Sequence, residues 1–349
     1  MSNRWPLAVG RSPSDFSANG ERRTANDFVP AWWIRGAHAQ TVWARLTRPR
    51  NCVVLRREML RTPDDDDLIV DHLDGRQLRF VLLHGLEGSS NSVYMQGLLS
   101  VIARHGFAAA VMNFRSCARD PKRLSRMIMN RRPRLYHSGE TEDFDFLVRT
   151  LPKDLPLVAI GVSLGGNVLL KWLGEHPAQE IVKAAATMSV PYDLAAGARY
   201  LERGAGPLYV ARFLRTMKRK TASVVERFAV KLDVAGAQRA RTFREFDNAS
   251  TAPLHGFRDA DDYYARASSL PFLKAIAVPT LCISAEDDPF LPLDAVRRAQ
   301  AAASSEVEFV LPRFGGHTGF IAGSLPGRAV YWAEELMVGW AAERAGIAI

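Results

Sequence analysis

Along this 349-residue chain, apolar positions gather into short β-branched runs separated by longer stretches of helical period. The runs predict strands at 52–59, 67–72, 78–83, 108–113, 156–160, 183–189, 278–283 and 306–311. Helical spacing predicts helices that include 92–105, 140–151, 164–175, 293–303 and 328–344. From residue 78 onward strands and helices alternate. That pattern calls for right-handed crossovers and a mostly parallel sheet covered by helices on both faces. The first two strands are joined by RTPDDDDL, which leaves no room for a helix, so they should pair antiparallel at the sheet edge. Asp64 to Asp67 read as a charged hairpin turn, and their spacing does not fit a calcium-binding loop.

The alternation fails between Ser189 and Val278, an interval far longer than an ordinary connection. Inside it, YDLAAGARYLERG and PLYVARFLRTMKRKTASVVERFAVKL have helical period. This predicts an α/β class with an eight-stranded, mostly parallel sheet and a helical cap insertion over 192–270. The core is then 51–191 with 271–349, and residues 1–50 form an N-terminal extension packing on it. Arg212, Arg215, Lys218, Arg219 and Lys220 are expected on the polar side of the cap. Leu201, Leu208, Tyr209, Phe213, Leu214 and Met217 either line a channel or simply pack the cap onto the core.

Composition narrows the function. Hydrophobic residues at 47% and charged residues at 24% are ordinary globular usage. No apolar run approaches the roughly 18 residues of a membrane span. The first thirty residues hold only a short, weakly apolar patch, so no export signal is read there. Cys52, Cys117 and Cys282 are odd in number, widely spaced and without a C-x-x-C pair, which argues against a disulfide framework or a zinc site and fits a reducing cytoplasm. No metal or cofactor is expected. The net charge of +9 is partly local, because residues 115–134 hold eight Arg or Lys against Asp120 alone. No nucleic-acid-binding motif surrounds them, so nucleic acid is not an expected partner. A solvated basic loop is the first reading, and attraction of anionic substrates or of an anionic membrane surface is the second.

The candidate chemistry begins at VAIGVSLGGNVLLKW, where a strand runs directly into a helix with Ser163 at the joint of Gly161-Val-Ser-Leu-Gly165. A serine there is forced into a strained conformation that lifts its hydroxyl above the sheet. Gly161 and Gly165 leave space for neighbouring backbone, and the helix N-terminus supplies N–H groups beside the hydroxyl. A nucleotide-binding turn is the competing reading, but G-x-G-x-x-G is absent and the turn follows the fifth strand rather than the first. A nucleophilic serine needs a base, an orienting acid and oxyanion donors. The donors are expected from the backbone N–H of Leu86, after the strand ending in LLHG, and from that of Leu164. Among the eight histidines, His317 follows the last strand in PRFGGHTGF and completes the order serine, acid, histidine. His84 is read instead as holding its loop by hydrogen bonds. The acid should follow the penultimate strand, where TLCISAEDDPFLP offers Glu286, Asp287 and Asp288.

These segments, with PAWWIRGAHAQT, HGLEGSSNS, YHSGETEDF, REFD, TAPLHGF and DDYYARASS, give a chain that resembles the YheT-type branch of the α/β-hydrolase superfamily, which includes the mammalian abhydrolase-domain lipases. The resemblance runs from about residue 30 to the C-terminal helix. It implies Ser163 as nucleophile, Asp288 as acid and His317 as base, in a carboxylesterase- or lipase-like hydrolase without cofactor. Pro289 agrees with that choice of acid, because it keeps Asp288 extended. Asp287 then reads as a loop-stabilising or solvated carboxylate, and Glu286 as solvated. The expected substrate is a small-molecule or lipid ester. Acyl transfer with the same residues, or a silent binding protein on the same fold, are the alternatives. Residues 115–134 depart from the family pattern, which has a shorter loop there.

Overall fold

The computed structural model describes residues 28–48 and 53–348. Most of the expected N-terminal extension, the whole of its weakly apolar patch, and Cys52 lie outside the described residues. The strands are β1 (Arg56–Arg61), β2 (Asp67–Leu73), β3 (Arg79–Leu83), β4 (Ala108–Asn113), β5 (Arg119–Asp120), β6 (Arg123–Met127), β7 (Leu157–Val162), β8 (Val182–Met188), β9 (Thr280–Ile283) and β10 (Val307–Val310). Eight of them form one sheet in the order β1-β2-β4-β3-β7-β8-β9-β10, and β5 and β6 make a separate hairpin. As expected, β1 and β2 pair antiparallel at the edge. From β4 across to β10 every pairing is parallel.

The helices are α1 (Ala37–Thr47), α2 (Val93–Arg104), α3 (Glu142–Thr150), α4 (Leu164–Glu175), α5 (Leu194–Tyr200), α6 (Gly206–Phe228), α7 (Val234–Arg239), α8 (Phe243–Phe246), α9 (Ala252–Leu254), α10 (Ala260–Ala267), α11 (Leu293–Ala302) and α12 (Trp332–Arg344). Strand side chains alternate between the two faces of the sheet. Val81, Leu83 and Ala159 pack with Phe144, Val168, Trp172 and Val296, so α3, α4 and α11 cover one face. Phe80, Leu82, Val158 and Ile160 pack with Leu98, Leu99, Leu336 and Met337, so α2 and α12 cover the other. Burial on both sides explains why these strands read as continuous apolar runs. No helix among the described residues is long and apolar enough to cross a membrane.

Helices α5 to α10 occupy the interval between β8 and β9. They have a small core of their own, built from Leu201, Val210, Leu214, Ala237 and Phe246. Leu214 is therefore a packing residue, whereas Leu208 is exposed to solvent. Two expectations about charge need correction. The basic stretch 115–134 is not one solvated loop. Arg115 is buried and bonds Asp64, Asp66 and Asp143, while Arg132 pairs with Asp65 and Arg134 with Asp64, Glu140 and Glu142. Three of the eight cations thus pair with the acidic turn and nearby acids, while Arg131 and, on the β5–β6 hairpin, Lys122, Arg123 and Arg126 stay outward. Nor are the cap cations uniformly solvated. Lys220 is buried, and Lys218 donates to the carbonyls of Gln238 and Ala240.

Candidate active site

Strand β7 ends at Val162, helix α4 starts at Leu164, and Ser163 between them has φ 53° and ψ −120°. A non-glycine residue in that region costs of order 1–3 kcal/mol and persists only where its surroundings fix it. Those surroundings are the two glycines of the motif. A Cβ on Gly165 would lie 2.5 Å from the Leu83 carbonyl oxygen, and one on Gly161 2.6 Å from that of Gly165. Neither would fit without moving backbone, so the turn can close only with both side chains absent. The Ser163 N–H is held by the Met188 carbonyl at 2.8 Å, which ties the turn to β8.

His317 Nε2 lies 3.1 Å from Ser163 Oγ, and its Nδ1 lies 2.9 Å from Asp288 Oδ2. Asp288 is buried and accepts a second bond from the Phe290 N–H at 2.8 Å. A carboxylate only accepts, so Nδ1 carries the proton and Nε2 is left to accept from the serine hydroxyl. The Phe290 ring stacks on the imidazole at 4.2 Å between centroids and fixes its plane. Asp287 faces elsewhere and accepts from the Gly316 N–H at 2.9 Å, holding the histidine loop from below. Burial, and the neighbouring Asp288 carboxylate, raise its pKa. Glu286 is not simply solvated, since it pairs with Arg297 at 3.2 Å.

Leu86 follows β3 in a loop whose other N–H groups are occupied. Gly85 N–H donates to Tyr94 Oη at 2.8 Å and Glu87 N–H to Tyr136 Oη at 2.7 Å. Among the described residues neither the Leu86 nor the Leu164 N–H has an acceptor, and both residues line the same cleft as Ser163 and His317. His84 is spent on architecture: its Nε2 accepts from the Phe114 N–H and its Nδ1 donates to the Gly85 carbonyl. Burial drives its pKa down to about 4, so it stays neutral.

Sequence reasoning missed the braces around this site. Thr41 on α1 accepts the His317 N–H at 2.9 Å, and the buried Gln40 side chain bonds both the N–H and the carbonyl of Ile321. Arg48 donates to the Thr318 carbonyl at 2.8 Å. The only sequence signal was the AHAQT segment within the family resemblance. Lys220 of α6 was missed as well: it reaches the buried Glu87 beside Leu86, and Tyr136 Oη donates to the same carboxylate.

The cleft above Ser163 has a volume of about 960 Å³. Leu201, Tyr209, Phe213 and Met217 of the insertion line it, as the channel reading expected. Among the described residues no cluster of His, Cys, Asp and Glu has metal-binding geometry. Cys117 and Cys282 are buried free thiols.

Residues 79–324 match the sequence profile of the alpha/beta hydrolase fold family. The chain is 34% identical to YheT of Escherichia coli (strain K12), a protein whose name carries the word esterase, with 94% of each chain covered. It is 30% identical to phospholipase ABHD3 of Mus musculus, covering 87% of this chain and 75% of that one. Among solved structures, the Pyrococcus furiosus esterase Pf2001 superposes with a TM-score of 0.53 at 15% identity, over 83% of this chain and 92% of that one. The named relatives are thus esterases and lipases on one fold. With its sheet order, its strained serine turn and this near-complete overlap, the chain belongs to the α/β-hydrolase family, in the branch of YheT and the mammalian abhydrolase-domain lipases.

Proposed function

We propose that this protein hydrolyses carboxylic esters through an acyl-enzyme on Ser163. The observation that carries the reading is the hydrogen-bonded series Ser163–His317–Asp288 at the floor of an apolar-lined cleft. His317 Nε2 takes the Ser163 proton as Oγ attacks the ester carbonyl carbon. The positive charge left on the imidazole is balanced by Asp288. The carbonyl oxygen, now an oxyanion, accepts from the N–H groups of Leu86 and Leu164, which have no other acceptor among the described residues. Collapse of the tetrahedral adduct expels the alcohol, protonated by His317. Water activated by the same imidazole then releases the acid and restores Ser163.

The cleft volume and its lining by Leu201, Tyr209, Phe213 and Met217 support a substrate with a sizeable apolar acyl or alcohol part, a lipid-like ester rather than acetate alone. The buried free thiols of Cys117 and Cys282 fit a cytoplasmic enzyme. The test is hydrolysis of p-nitrophenyl esters of increasing chain length, with the released acid quantified. Expected is a kcat/KM that rises with chain length until the cleft is filled. Release of the phenol without an equivalent of free acid would mean transfer of the acyl group to another acceptor. No turnover of any ester would remove the reading.

A further inference from the structure

Three separated segments that line the cleft are poor in acids. Helix α1 has no Asp or Glu, α6 has only Glu226, and the β5–β6 hairpin has only Asp120. Leu208, Arg212, Arg215 and Arg219 recur at helical spacing and share one outward stripe of α6. Arg212 and Arg215 border the mouth from that stripe. The β6 strand contributes Leu124 to the cleft lining, 48% exposed and standing between Arg123 and Arg126 in sequence, and α1 contributes Leu46, which is 68% exposed. Among the described residues no ion pair engages Arg123, Arg212 or Arg215, and Arg126 meets Asp120 only at 4.0 Å. The contrast lies within one stretch of chain: Arg115, Arg132 and Arg134 are consumed by acids, while the hairpin cations are left outward.

Exposed leucines on the same rim as the unpaired Arg123, Arg212 and Arg215 fit an interface that is anionic at its surface and apolar just beneath it. We propose that this rim docks on an anionic lipid surface, with the arginines at the headgroups and Leu46, Leu124 and Leu208 entering the acyl boundary. The mouth then opens onto esters held in the bilayer, a purpose that rests on the hydrolase reading above. A soluble polyanion would satisfy the arginines but leave the leucines in water, so the lipid surface is the favoured partner.

The test uses the full chain carrying Ser163→Ala, so that binding is read without turnover. It is sedimented with phosphatidylcholine vesicles with and without phosphatidylglycerol. The expected result is partition only onto the anionic vesicles, lost as salt is raised. Arg123→Glu with Arg126→Glu should weaken that partition about tenfold or more, and Leu208→Ser should weaken it as well. With Ser163 restored, neither change should alter kcat/KM on a short water-soluble ester. Equal binding to both vesicle types overturns the proposal, as does binding that neither variant changes. A partition sensitive to charge reversal but indifferent to Leu208→Ser also overturns it and marks a plain polyanion site. Absent vesicle binding with intact esterase activity refutes the docking alone. Vesicle binding without esterase activity refutes the proposed function alone.

Discussion

Lys220 Nζ lies 2.7 Å from Glu87 Oε1, and this pair joins the long helix of the insertion to the loop that carries the Leu86 N–H. Both side chains are almost wholly withdrawn from solvent. Burial alone would raise the Glu87 carboxyl, but the Lys220 ammonium holds it below its ordinary value. Burial would likewise depress Lys220, yet Cys117 and Glu87 keep its pKa raised. The pair is therefore ionic. Removing one partner leaves the other charged and unpaired in the interior.

Lys220→Met should accordingly destabilise the protein by about 3–5 kcal/mol, the usual cost of stranding one member of a buried pair. Lys220→Met combined with Glu87→Gln should recover a good part of that loss. Urea unfolding of both variants measures it. A Lys220→Met protein as stable as wild type would mean the pair holds nothing.

The two neighbouring aspartates should separate in kinetics. Asp288→Asn removes the charge facing His317 Nδ1 and disturbs the tautomer, an exchange that can cost about 10⁴ in kcat. Asp287→Asn keeps an oxygen able to accept from the Gly316 N–H, so its loss should stay below about tenfold. Steady-state kinetics on one ester decides. A crippled but folded Asp287→Asn beside an active Asp288→Asn would move the acid by one residue.

Thr41 touches His317 only through the backbone. Thr41→Val leaves the His317 N–H without its acceptor, at a cost of about 1–3 kcal/mol. If that cost falls on the placement of the imidazole, kcat should drop about tenfold with KM little changed, and Thr41→Ser should restore it. An unchanged kcat in Thr41→Val would show that α1 merely covers the loop.

Asp247 makes stability depend on pH. It is buried, accepts from Thr251 and Tyr264, and burial pushes its pKa up to about 6 despite those bonds. The unfolded carboxyl titrates near 3.8, so between about pH 4 and 6 the folded state binds the extra proton. Stability contributed by this group is full below about pH 4 and falls by roughly 3 kcal/mol as pH rises to about 6, with no further loss above. Asp247→Asn should flatten that part of the pH–stability curve. An identical slope in the variant would exclude Asp247 as its source.

What the sequence made legible was local. The eight sheet strands and the serine turn declare themselves over a handful of residues each, through apolar runs, two glycines and the switch to helical period. The role of Lys220 could not be read that way. It stands on α6 beside Lys218 and Arg219, and only contacts with Cys117 and Glu87, 103 and 133 positions away, separate it from a solvated face. The charged turn at Asp64–Asp67 and the basic stretch after β4 read as two unconnected features for the same reason. Their mutual neutralisation through Arg115 and Arg134 exists only once β2 and β4 lie side by side. Thr41 and Gln40 brace the histidine loop from almost the opposite end of the chain, and no periodicity records such a contact.

The central claim is that Ser163 is the acylated residue, and covalent labelling tests it most directly. Wild-type protein treated with a fluorophosphonate should gain one adduct, and peptide mass spectrometry should place it on Ser163. Ser163→Ala should lose both the adduct and ester hydrolysis while keeping its thermal melting transition. Adduct formation at another serine in a folded Ser163→Ala protein that still hydrolyses esters would contradict the assignment.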